Sequence, residues 1–321
     1  MLTNDLQCNQ FLMEALRYQL TPRTQRPSFW SHTKQVPTNR NGKFLVVFAG
    51  GRHIDNSCPQ RKCKVYDATD NNTSPIPDML DPRCGNSVIS LNGKVYSVGG
   101  YYKIGLETAE CYDPVNKKWT HIAPMSASRY NFGICACDNM IYAIGGCRHS
   151  SVESYNPATN KWYMCPDIPE VSWRSRAAVI KHSIYSLNES GNGIISCIRF
   201  DSREGRWYSL NDMPGTLRNE SFEFMSYDNS LFSIAKKCSR LDIRTNKWEA
   251  MPSMLFKRLR FSAAIIADDI YVFGGADKNW EYINSVERYN IHNNEWTVVD
   301  SLEVEVYRGG AAVISGDFSL N

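Results

Sequence analysis

The sequence predicts an all-β protein: a six-bladed propeller closed by its C-terminal strand and preceded by one short α-helix. Three observations predict it. The stretch SYNPATNKW at 154–162 returns as CYDPVNKKW at 111–119, RFDSREGRW at 199–207, RLDIRTNKW at 240–248 and RYNIHNNEW at 288–296. Its tryptophans, Trp119, Trp162, Trp207, Trp248 and Trp296, stand 43, 45, 41 and 48 residues apart, a period of blades or solenoid repeats. Second, four apolar strands end in a glycine pair: Gly50-Gly51, Gly99-Gly100, Gly145-Gly146 and Gly274-Gly275. Third, the first unit lacks a first strand, while RGGAAVI at 308–314 reads as a first strand with nothing after it. A closed ring resolves the mismatch and removes open sheet edges.

Residues 1–22 carry an apolar stripe at helical spacing, Leu6, Phe11, Leu12, Ala15, Leu16 and Leu20, and Pro22 stops it. Residues 23–42 are rich in Pro, Thr, Arg and Asn and read as a linker. The ring then spans 43–318, in blades of about 43–79 plus 308–314, 80–125, 126–169, 170–214, 215–254 and 255–303. Each blade reads as a small-residue strand, a Gly-Gly strand, a Tyr strand and a Trp strand. Turn signals separate them, such as Asn92-Gly93 and Asp138-Asn139. The first strands are expected at Gly85 to Leu91, Phe132 to Cys137, Ala177 to Ile180, Ser221 to Ser226 and Phe261 to Ile266. Blade one carries Thr73 where Trp belongs, and blades four and five carry Asn188-Glu189 and Ala235-Lys236 for Gly-Gly. Those departures suggest local relaxation or a specialised face. The repeated glycines and tryptophans are read as architecture, packing strands near the axis and sealing neighbouring blades.

Net charge is +3, without a Lys/Arg block, which gives no sign of nucleic-acid binding. No apolar run reaches bilayer length, and no basic-then-apolar leader opens the chain. The eleven cysteines are odd in number and fall mostly inside strands, so they are read as reduced thiols of a cytoplasmic protein. Cys58 and Cys63 lack a second pair at ligand spacing, and no metal or cofactor is expected. The six histidines are scattered, no nucleophile or phosphate-loop motif occurs, and no catalytic residue is assigned.

Gly-Gly, then Tyr, then Trp seven residues later, in six copies, resembles the kelch repeat. EALRYQLTP and the basic-polar linker after it resemble the junction between BACK and kelch in kelch-like proteins. That resemblance implies a BTB domain ahead of BACK, outside these residues, and a substrate adaptor for a cullin-RING ubiquitin ligase. The propeller would hold the substrate, and cullin would be reached only through BTB. The alternative is an actin-binding or other cytoskeletal kelch protein, or a scaffold.

The loops before each first strand and after each Gly-Gly share one face, which in the resembling proteins binds the partner. Here they are basic and aromatic. The candidate partner-binding residues are Arg83, Tyr101, Tyr102, Arg129, Asn131, His149, Trp173, Arg174, Asn219, Arg260, Trp280 and Arg308. Arg174 and Arg260 best match the position that contacts an acidic peptide in the family, and Arg148 and Lys278 lie in the same loops. Arg176, Arg218 and Arg258 are read as partly structural. An acidic protein or peptide is the expected ligand, because arginine meets carboxylates with two parallel bonds.

Overall fold

The computed structural model describes residues 44–53, 58–215, 221–302 and 306–315. They form six four-stranded antiparallel sheets, and none of them is helical. The expected helix and linker at 1–22 and 23–42 lie outside the described residues. So does Asn219.

Blade one shows the closure. Its order is Gly310–Ser315, Phe44–Ala49, Cys63–Asp67, Asn72–Ile76, so the C-terminal strand is innermost. Leu45 lies opposite Ile314 and Val47 opposite Ala312. Blades two to six each run in chain order. Six apolar clusters fill the interfaces between successive blades, one each. The cluster joining blade six to blade one packs Val46, Phe48 and Tyr66 against Phe273, Val286 and Val306. The ring is therefore closed by side chains as well as by strand pairing.

The seven-residue spacing is a register. Tyr112, Tyr155, Phe200, Leu241 and Tyr289 lie directly across the third and fourth strands from their tryptophans. In blade one Tyr66 faces Thr73. Each indole N–H reaches back one blade, to the carbonyl of Pro77, Ala123, Pro166, Asn211 or Pro252, at 2.7–2.9 Å. The tryptophans thus fasten neighbouring blades and satisfy their one donor. Burying Trp119 and Trp296 contributes about 2–3 kcal/mol each, and the partly exposed Trp162, Trp207 and Trp248 contribute less.

The glycine pair solves a crowding problem. A Cβ on Gly99 would stand 2.4 Å from the Arg129 carbonyl of the next blade, and φ there is +59°. Beside it the Gly100 N–H donates to that carbonyl at 2.7 Å. Only glycine allows both the approach and the backbone angle. Blade four lacks the pair, and its ladder continues instead. Arg174–Ile180 and Ser183–Glu189 are seven-residue strands, against five residues in the first two strands of blade three. The first strand therefore starts three residues before the expected Ala177. The extension ends in the cross-strand pair Arg174 and Glu189.

Candidate partner-binding face

The register defines equivalent positions. Ser87, Gly133, Ser262 and Gly310 each pair with the residue just before a Gly-Gly. In blade four the equivalent is Arg176, opposite Leu187. Four residues upstream stand Arg83, Arg129 and Arg258 in blades two, three and six. Ser172 and Val306 take that place in blades four and one.

These three arginines do not face a partner. Arg83 and Arg129 are wholly buried, which corrects their assignment to the binding face, and Arg258 is buried with them. Each meets a buried glutamate of its own blade's third strand: Arg83 with Glu110 at 2.7 Å, Arg129 with Glu153 at 2.9 Å, Arg258 with Glu287 at 2.8 Å. Each also donates to the carbonyl of the first glycine, Gly99, Gly145 or Gly274. The carboxylates accept backbone N–H groups from Leu80 and Asp81, from Ser126, and from Leu255 and Phe256. Such a pair is tolerated inside because every charge has a counter-charge and hydrogen bonds. Where the arginine is missing, so is the glutamate: Lys64, Ile198 and Ser239 occupy its place in blades one, four and five.

Two residues further on, the chain lines the channel mouth. Gly85, Asn131, Arg260 and Arg308 all have positive φ, at 61°, 53°, 58° and 57°. That conformation turns their backbone groups around the ring. Arg308 N–H donates to Arg260 O at 3.1 Å, Gly85 to Arg308 at 2.8 Å, Asn131 to Gly85 at 2.9 Å, and Ser175 to Asn131 at 3.0 Å. The Arg260 N–H donates to the Ser221 hydroxyl oxygen at 2.7 Å, which brings in blade five. The result is a hydrogen-bonded collar touching all six blades.

The collar surrounds a cavity of about 880 Å³. Among the described residues its wall carries Arg148, Arg174, Arg176, Arg260 and Arg308 against two carboxylates, Glu189 and Glu223. Both carboxylates are engaged, Glu189 by Arg174 and Glu223 by Arg176 at 3.0 Å. Burial raises the Glu223 pKa despite Arg176. Two tryptophans stand at the rim, Trp173 46% and Trp280 48% exposed. Arg148 lies 4.3 Å over the Trp173 ring. Arg260 lies between Trp280 and Tyr307, at 4.8 and 5.6 Å, and donates to the Tyr307 hydroxyl at 2.7 Å. Stacking fixes the guanidinium plane while leaving other N–H groups for a ligand.

Of the sequence-predicted residues, Asn131, Trp173, Arg174, Arg260, Trp280 and Arg308 line this cavity. Tyr101 and Tyr102 do not. They form a short hairpin with Ile104–Gly105, where Tyr101 meets the cavity residue Tyr130 edge-on at 5.5 Å. His149 sits outside the wall, its pKa lowered by burial and by Arg129. Sequence reasoning misses Glu189 and Glu223. The available signal is Glu189 standing where other blades carry glycine.

Asp81, Glu110 and His121 bring possible metal donors within 4.8 Å, but Glu110 is already engaged by Arg83, Leu80 and Asp81. The ten described cysteines are free thiols, mostly buried. Burial pushes Cys63 and Cys197 up to about 12, which leaves them unreactive.

The kelch motif matches residues 82–126, 128–169 and 257–303. These are the three blades that carry the arginine–glutamate pair. The chain is 25% identical to Kelch-like protein 26 of Danio rerio over 332 aligned positions, covering 92% of this chain and 53% of that protein. It is 26% identical over 270 positions to Kelch-like protein 23 of Homo sapiens, covering 80% of this chain and 40% of that one. Kelch-like protein 36 of Bos taurus is 25% identical, over 98% of this chain and 47% of its own length. Three of the six blades of this propeller thus match the kelch motif. It spans about half the length of the curated relatives it matches. The likeness implies a protein-interaction domain, and it points away from a catalytic one.

Proposed function

We propose that the propeller holds an acidic segment of a protein partner in the collared mouth, as the substrate-recognition part of a kelch-like adaptor for a cullin-RING ubiquitin ligase in the cytoplasm. One observation carries the binding half: among the described residues, five arginines and two half-exposed tryptophans surround one cavity, against two carboxylates that are already engaged. Arginine and tryptophan are the residue types that dominate protein interfaces. The adaptor half rests on the likeness to kelch-like proteins, and cullin contact is assigned to a BTB domain outside these residues.

The test is capture of partners from cell lysate by the tagged chain. Arg260→Glu is expected to lower recovery of the main partner about tenfold or more. Arg174→Glu is expected to lower it less, because Glu189 already neutralises that guanidinium. Equal recovery by wild type and Arg260→Glu would refute the binding face. Co-sedimentation with actin filaments, with no cullin found beside the full-length protein, would replace the adaptor half by a cytoskeletal role.

A further inference from the structure

We propose that the wall shared by blades six and one is a seat for a phosphoryl dianion, a phosphoserine or phosphothreonine carried by the partner segment. This rests on the peptide-binding reading above and names what that mouth recognises.

The charges of the mouth are unevenly balanced. Glu189 and Glu223 both belong to the side formed by blades four and five, and they engage Arg174 and Arg176 there. Further round the ring, Arg260 and Arg308 line the cavity, and Arg52, outside that lining, is near enough for its charge to act on Arg308. The Arg308 N–H bonds the Arg260 carbonyl, and the Arg52 N–H bonds the carbonyl of Tyr307 at 2.9 Å. Among the described residues none of the three has a carboxylate partner. The Arg52 Nε is buried without an acceptor. Arg260 gives one N–H to Tyr307 and keeps the rest. The half-buried Arg308 guanidinium has no hydrogen-bond acceptor among the described residues. Its pKa is held below the ordinary arginine value by burial and by the charges of Arg260 and Arg52.

Three guanidiniums that repel one another and meet no carboxylate among the described residues form an incomplete electrostatic unit. The collar does not require them, since Gly85 and Asn131 hold the same backbone conformation in blades two and three. Glycine and asparagine take positive φ readily, whereas arginine there is strained by about 1–2 kcal/mol. The arginines at 260 and 308 therefore serve through their side chains. A carboxylate would bring one charge and two oxygens. A phosphoryl group brings nearly two charges and three strong acceptor oxygens, which matches several arginine forks at once.

The experiment uses the full chain and fluorescence polarisation against three degenerate peptide libraries. Their central residue is fixed as phosphoserine, glutamate or serine. The phosphoserine library is expected to bind about tenfold tighter than the glutamate library, and inorganic phosphate at millimolar concentration is expected to compete. Arg308→Asn and Arg52→Gln should each bring the phosphoserine library down to the glutamate level. Asparagine is chosen at 308 because it holds the collar backbone in blade three, and thermal melts check that both variants stay folded. Equal binding of the phosphoserine and glutamate libraries, or retention of the preference by both folded variants, would overturn the phosphoryl seat while leaving the acidic-segment reading intact. No binding by any library would sink both together.

Discussion

Replacing Glu153 by alanine is expected to destabilise the propeller by about 3–5 kcal/mol, read as a fall in the urea midpoint of unfolding. Glu153 is 1% exposed, and Arg129 opposite it is wholly buried. Removing the carboxylate strands a positive charge in the interior and frees the Ser126 N–H that it accepts. For a domain whose whole stability is about 5–15 kcal/mol, that loss is large. The same change at Glu110 or Glu287 is expected to cost a similar amount, since each makes the same contacts. The double variant Arg129→Met with Glu153→Leu should be no less stable than Glu153→Ala, because neither charge is then left alone. A loss under about 1 kcal/mol, as surface pairs give, would show that these arginines are solvated and belong to the rim after all.

Removal of residues 306–321 is expected to abolish the soluble monomer. The innermost strand of blade one, Gly310–Ser315, covers Phe44–Ala49, in which Leu45 to Ala49 are all buried. Without it that apolar strand becomes an open edge and a template for aggregation. Val306 also leaves the cluster between blades six and one, and Ala312 and Ile314 leave the one between blades one and two. Ala312→Asp should act in the same direction, by burying a charge in that second interface. Size-exclusion chromatography gives the readout. A truncated chain that still ran as a folded monomer would mean that the ring does not depend on its tail.

Much of this fold was legible because its signals repeat. The Tyr-to-Trp spacing is a cross-strand register, so one rule placed five hairpins. The tail could be assigned to blade one because one unit lacked a strand and the chain end offered one. The first strand of blade four was expected only from Ala177, as elsewhere the ladder ends where Gly-Gly takes positive φ. Asn188 and Glu189 have no such angle to adopt, and the ladder runs on through them. The mouth was legible in part. Arg83 and Arg129 stand in the same loops as Arg260, and their burial is decided by glutamates 27 and 24 residues away in sequence. A signal existed: glutamate stands two residues before the repeat tyrosine at Glu110, Glu153 and Glu287, the three blades that also carry the upstream arginine. The uneven charge around the mouth could not be read locally, because it depends on Arg174 meeting Glu189 from the neighbouring strand and Arg176 meeting Glu223 from the neighbouring blade.

Blades two and three keep the buried pair and place Gly85 and Asn131 in the collar. Blades one and four lack it and supply Arg308, Arg174 and Glu189. Blade six does both, with Arg258 inside and Arg260 at the mouth, two residues apart. Buried pairs and mouth arginines are thus distributed unequally among blades of one architecture.

Hydrogen exchange of the full chain with its captured partner tests the central claim most directly. Backbone amides at 173–176, 189–191, 259–261 and 308–310 are expected to slow on binding. The turns at 114–117, 202–205 and 243–246, at the far ends of the strands, are expected to stay unchanged. Protection confined to those far turns, with the mouth exchanging as in the free chain, would contradict the account.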